Sequence, residues 1–149
     1  VGLITARDGI SVTGGGIAVG SNLTLSAGGN IFAAGISTIG NVEDSKGNLR
    51  SIPQNSQSSA YTLSVADAGK HIGITTGGVT IPAGQFSTGD AITIVNDSAS
   101  DQTITCSAVT TYLANDTSVK SSLTLKARGL ATFLFVSATV VYGAGAGLE

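Results

Sequence analysis

No stretch of this 149-residue chain carries the 3.6-residue periodicity of a helix. Its apolar residues recur at spacing two, in short runs broken by Gly, Asn or Asp. That alternation is the pattern of a strand with one face buried. Val, Ile and Thr are abundant, and β-branched residues fit a pleated surface. The chain is therefore expected to be all-β. Its 21 Gly, and Gly, Ser and Thr together filling more than a third of the positions, would suit disorder. A hydrophobic fraction of 42% argues against that.

Two patterns divide the chain. Residues 1–40 hold very short units: Gly9-Ile-Ser-Val-Thr13, Gly16-Ile-Ala-Val-Gly20, Asn22-Leu-Thr-Leu-Ser26, Asn30-Ile-Phe-Ala-Ala34 and Gly35-Ile-Ser-Thr-Ile39. Each offers two apolar residues on one face and cannot bury them alone. Stacking as solenoid rungs, or pooling the units of three chains round one axis, would supply a core. With only five imperfect units, the second arrangement is favoured over the first and over a flexible linker: a repetitive β-shaft at 1–40. Residues 41–59 read as a polar connector with a turn at Lys46-Gly47-Asn48. From Ala60 the strands lengthen. Tyr61/Leu63/Val65, Ile72/Ile74, Val79/Ile81, Ile92/Ile94, Ile104/Cys106, Leu123/Leu125, Leu130–Val136 and Val140–Tyr142 are separated by turn residues. Ser64 to Ala68 has room for one helical turn. Eight or nine strands at this spacing predict an antiparallel β-sandwich, a jelly-roll-like head over 60–147. Leu130 to Val136 is apolar on both faces. It is expected to be a central strand, covered on one side by the facing sheet and on the other by a second chain. Leu148 and Glu149 read as vector-derived, and the chain, opening on Val1, as an excerpt of a longer polypeptide.

Composition narrows the function. Charged residues make up 11%, against about 25% in ordinary domains. Seven Lys and Arg, scattered, make no basic stripe for nucleic acid. No apolar run reaches the roughly 18 residues of a membrane helix. One His and one Cys cannot build a Cys/His zinc cage. His71 has no nucleophile pattern around it and reads as the start of a strand; a His on a three-fold axis could also share an ion with its copies. Asn96, Asp97 and Asp101 could collect Ca²⁺, but their spacing does not match the calcium loop. Gly14-Gly15-Gly16 lacks the Gly-Lys-Ser/Thr ending of a phosphate loop. Cys106 reads as a small core residue. The chain is thus expected to be no enzyme and to carry no metal or cofactor. Recognition remains. Tyr112, Asn115 and Asp116 cluster in Thr110–Val119, the stretch with the weakest strand pattern, and are the candidate surface-binding residues. Asp67, Gly69 and Lys70 are candidate structural turn residues.

Several blocks carry a resemblance. Arg50 to Ile72, with Tyr61-Thr-Leu63 and Asp67-Ala-Gly-Lys70, resembles a segment of tailed-phage tail fibres and related virion proteins. So do Thr80-Ile-Pro-Ala-Gly84 with Phe86, Gly89-Asp-Ala-Ile-Thr-Ile-Val-Asn96, and Leu125-Lys-Ala-Arg-Gly-Leu-Ala-Thr132 with the Gly-rich end from Gly143 to Leu148. Thr5 to Gly14 and the repeats after it resemble shaft segments of marine phage, including cyanophage, fibres. Many members carry a Trp near the end, where this chain has Val140-Val-Tyr142. The resemblance implies the C-terminal part of a homotrimeric tail fibre at the virion surface, binding a host-surface glycan or protein. It brings no catalytic residue. A head fibre or capsid-decoration protein, and a bacterial surface adhesin module, are the alternatives.

Overall fold

The chain divides into two units, Val1–Thr38 and Ile39–Glu149. The structure, a computed structural model, describes residues 42–44, 47–49 and 51–149. The expected shaft at 1–40 lies outside the described residues. The rest is all-β apart from one 3₁₀ turn at Val65–Asp67.

A small ladder pairs β1 (Glu43–Asp44) with β2 (Gly47–Asn48). The main sheet holds ten strands: β3 (Gln54–Gln57), β4 (Tyr61–Thr62), β5 (His71–Ile74), β6 (Val79–Pro82), β7 (Ala91–Asn96), β8 (Gln102–Ser107), β9 (Thr110–Leu113), β10 (Val119–Lys120), β11 (Ser122–Ser137) and β12 (Val140–Leu148). It has two branches that meet at β11. One runs β10-β9-β12-β11-β7-β5-β3, and the other runs β11-β8-β6-β4. The inward residues of both branches join in one core, with Ile72, Ile74, Ile92 and Ile94 from one side and Val79, Ile81 and Ile104 from the other.

The expected antiparallel, jelly-roll-like arrangement is not what forms. From β3 to β8 the chain alternates between branches, and each strand lies parallel to the one two places earlier. Gln54 stands beside His71 and His71 beside Thr93; Tyr61 stands beside Val79 and Val79 beside Ile104. The segment is wound as three stacked coils, each with one strand per branch. The strand of one branch thus serves as the crossover that parallel neighbours in the other require. Turns fix the winding. Gly78 has φ +72° at the corner before β6, where a Cβ would run into the Thr103 carbonyl oxygen.

The long strand β11 closes the stack. Its first part pairs antiparallel with β8 (Leu123 beside Ile104), and its second part with β7 (Leu130 beside Val95, Leu134 beside Ala91). Between them the strand bends at Lys126–Gly129, where Arg128 takes φ +59° and the register with β12 shifts. β12 pairs antiparallel along β11, and β9 adds parallel to β12. Leu130–Val136 is thus a central strand: Ala131, Phe133 and Phe135 are buried, while Leu130, Leu134 and Val136 face out.

Some boundaries shift. Gln54–Gln57, within the expected connector, is a strand of the main sheet: it pairs parallel with β5, and Asn55 and Gln57 are held by side-chain hydrogen bonds rather than by apolar burial. Val65 leaves the strand pattern for the 3₁₀ turn and is exposed. Leu148, read as vector-derived, is buried beside Leu125 as the end of β12.

Candidate functional site

Two polar clusters need separating, since one is spent on the fold. Asp67 is buried at the end of the 3₁₀ turn. Its carboxylate accepts hydrogen bonds from the Ser64 amide at 2.8 Å, Asn55 Nδ2 at 2.8 Å and the Tyr61 hydroxyl at 2.9 Å. Burial alone would raise its pKa. The Ser64 amide, Asn55, Tyr61 and the Ser64 hydroxyl outweigh it and hold Asp67 below the ordinary carboxylate range. Burial and the Asp67 carboxylate push the Tyr61 hydroxyl up, against the opposing pull of Asn55 and Ser64. Gly69 follows at φ +78°, and its amide donates to the Ala91 carbonyl at 2.8 Å. Lys70 bridges by backbone alone: its amide donates to the Asp67 carbonyl, and its carbonyl accepts from Thr93. These three residues sit at a corner that locks the first coil to the next.

The second cluster lies at the other end of the large branch. Thr110–Val119, the stretch with the weakest strand pattern, begins as β9, placed by its parallel ladder with β12. That register sets Tyr112 directly beside Tyr142, with ring centroids 5.3 Å apart and planes 31° from parallel. The chain then turns at Asn115, whose φ of +65° is the left-handed conformation that Asn tolerates. Asp116 accepts from the Ser118 amide at 2.8 Å and the Ser118 hydroxyl at 2.6 Å through one oxygen. The other meets Lys120 Nζ at 2.6 Å. The Lys120 ammonium first, and Ser118 second, hold Asp116 well below the usual carboxylate range, so it stays ionised.

The result is an open depression of about 400 Å³ lined by Tyr112, Leu113, Asn115, Asp116, Thr117 and Tyr142. All three candidate binding residues meet there. Tyr142 was legible in the sequence only as a strand residue, because its place depends on pairing across thirty positions. The two tilted rings offer an apolar platform. Asn115 contributes an amide with no hydrogen-bond partner among the described residues, and Asp116 contributes acceptor lone pairs beyond those already used. Platform plus planar polar rim suits a ring with one C–H face and hydroxyls at its edge.

The remaining candidates are placed elsewhere. His71 Nδ1 lies 3.2 Å from the Ile52 carbonyl oxygen at the start of β5. The amide of Asn96 donates to the carbonyls of Ser100, Leu125 and Lys126, Asp97 pairs with Arg128, and Asp101 pairs with Lys126. The residues considered for Ca²⁺ are thus committed to the bend of β11. Among the described residues, no group of three His, Cys, Asp or Glu side chains is arranged to hold a metal. Cys106 is buried, and burial pushes its thiol pKa up.

No protein-family model matches the chain, and no curated protein matches it.

Proposed function

We propose that this chain is a binding and display protein: the C-terminal part of a trimeric phage tail fibre whose tips engage a saccharide on the host surface. The observation that carries the binding reading is the depression around Tyr112 and Tyr142. It unites two aromatic faces, a side-chain amide with no partner among the described residues and a carboxylate held below the usual range at one exposed edge. An aromatic face attracts the C–H face of a pyranose, and planar polar groups match its hydroxyls. The carboxylate is already neutralised by Lys120, so the site favours a neutral sugar over an acidic one. The resemblance of the Tyr61–Lys70 and Gly89–Asn96 blocks to phage fibres supports the virion setting. Three copies on one fibre would turn weak single contacts into firm attachment.

The test is binding of the full chain to an array of bacterial surface oligosaccharides, neutral and acidic. A subset of neutral sugars is expected to bind, and Tyr112→Ala or Tyr142→Ala to weaken binding about tenfold each. Loss of binding in neither variant, or no sugar bound at millimolar concentration, would contradict the reading. Binding to phage capsids instead would move the chain to the head-fibre class.

A further inference from the structure

The outer faces of the two branches differ in kind. On the smaller branch the outward residues are those of an ordinary solvated sheet: Thr103, Thr105 and Ser107 on β8, Ser122 and Thr124 on the first part of β11. Past the bend the same strand reverses its chemistry. Leu130, Leu134 and Val136 point outward and stand 47%, 44% and 44% exposed. The register extends the patch sideways. Leu130 lies between Val95 of β7 and Ala146 of β12, Thr132 between Thr93 and Ala144, and Leu134 between Ala91 and Tyr142. No charged residue occurs among these outward positions. The two threonines at the centre bond each other, Oγ1 to Oγ1 at 2.9 Å, and so ask little of a partner.

We infer that this face, the outer side of β7, β11 and β12 past the bend, is where copies of the chain meet one another. The inference rests on the fibre reading for the presence of several copies, and goes beyond it in naming the surface. The charge pattern selects the occupant. A face with no charge offers nothing to an oppositely charged partner. A second identical face meets it without burying an unpaired charge, the usual obstacle to self-contact. The ion pairs among the described residues lie elsewhere, at the bend of β11 (Lys126 with Asp101 and Glu149, Arg128 with Asp97) and at the turn after β9 (Lys120–Asp116).

Size sets the strength. With strands about 4.8 Å apart and about 3.3 Å per residue, three strands of some seven residues span roughly 330 Å² of flat sheet. A stable pair buries about 800 Å² per partner. The face alone therefore holds copies weakly and acts beside other contacts. Tyr142, beside Leu134 in the ladder, belongs to this face and also lines the depression with Tyr112.

Two measurements on the full chain test this. The first is absolute mass by light scattering over a range of concentrations, for the wild type and for Leu130→Lys with Leu134→Lys. One chain weighs 14.7 kDa. The wild type is expected to form multiples, and the double variant to need at least tenfold higher concentration to do so, with its circular dichroism unchanged. The second is crosslinking with a short bis-maleimide. Leu134→Cys is expected to give a covalent dimer, and Thr103→Cys, on the polar outer face, to give none. A wild type that stays at one chain, or crosslinking no stronger at 134 than at 103, overturns the inference. A multimer that crosslinks at neither position overturns it while leaving the fibre reading intact.

Discussion

The coils from β3 to β8 and the hairpin of β11 and β12 solve the same problem in opposite ways. The coils use strands of two to six residues, each needing a corner, and the corners are held by buried polar side chains. Gln102 is the clearest case. Its carbonyl accepts from the Gly78 amide at 3.0 Å, and its Nε2 donates to the Thr75 carbonyl at 3.3 Å and to Ser98 Oγ at 3.2 Å. Asp67 does the same for the first coil. The hairpin uses 16 and 9 residues, few corners and large apolar side chains. Phe133 lies over Gly143, where a Cβ would come within 2.8 Å of its ring, and Phe135 packs on Phe86 with centroids 4.4 Å apart. Coil order therefore depends on satisfied polar groups, and hairpin order on packed volume. Because β11 pairs with both β7 and β8, the hairpin also decides whether the two branches hold together.

The difference can be broken at its strongest point first. Phe133→Ala removes a fully buried ring from the strand common to both branches. It is expected to cost about 3–5 kcal/mol in urea unfolding and to leave a single transition. A second transition, with the coils outlasting the hairpin, would separate the two parts. Gln102→Ala strikes the coils. It leaves the Gly78 amide and the Thr75 carbonyl short of partners and is expected to cost about 1–3 kcal/mol. The smallest effect is read by pH. Asp67 has a folded pKa below its unfolded one, so its contribution is complete above the ordinary carboxylate pKa of about 3.9 and is lost as pH falls through the folded value. Acid unfolding followed by fluorescence of the tyrosines should show that loss. Asp67→Asn should start less stable at neutral pH and lose less between there and the acid limit. An acid limb identical in the two proteins would remove Asp67 from the account.

Much of this was legible in the residues. Alternation located β5 to β8, both parts of β11 and the start of β12, since each buries every second side chain. The helical turn expected within Ser64–Ala68 forms at Val65–Asp67. The direction of pairing was not legible. A period of two is the same for parallel and antiparallel neighbours, and nothing local says that β5 passes to the other branch before β7 returns. β3 was hidden because Gln54-Asn-Ser-Gln57 has no apolar residue; Asn55 and Gln57 earn their places through Asp67, Tyr61 and each other. The candidate site was half legible. Tyr112, Asn115 and Asp116 are neighbours in sequence, whereas Tyr142 joins them only through the β9–β12 ladder.

The claim that the hairpin is the common clamp and the coils its dependents is tested most directly by native-state hydrogen exchange, residue by residue. Opening free energies spread from the edges of a fold to its most stable unit. The amides of Ala131, Phe133, Phe135 and Val141 should exchange only through global unfolding, and those of β3 through smaller, local openings. Protection in β3 and β5 equal to or above that of β11 would contradict the account, and would make the stacked coils the scaffold on which the hairpin rests.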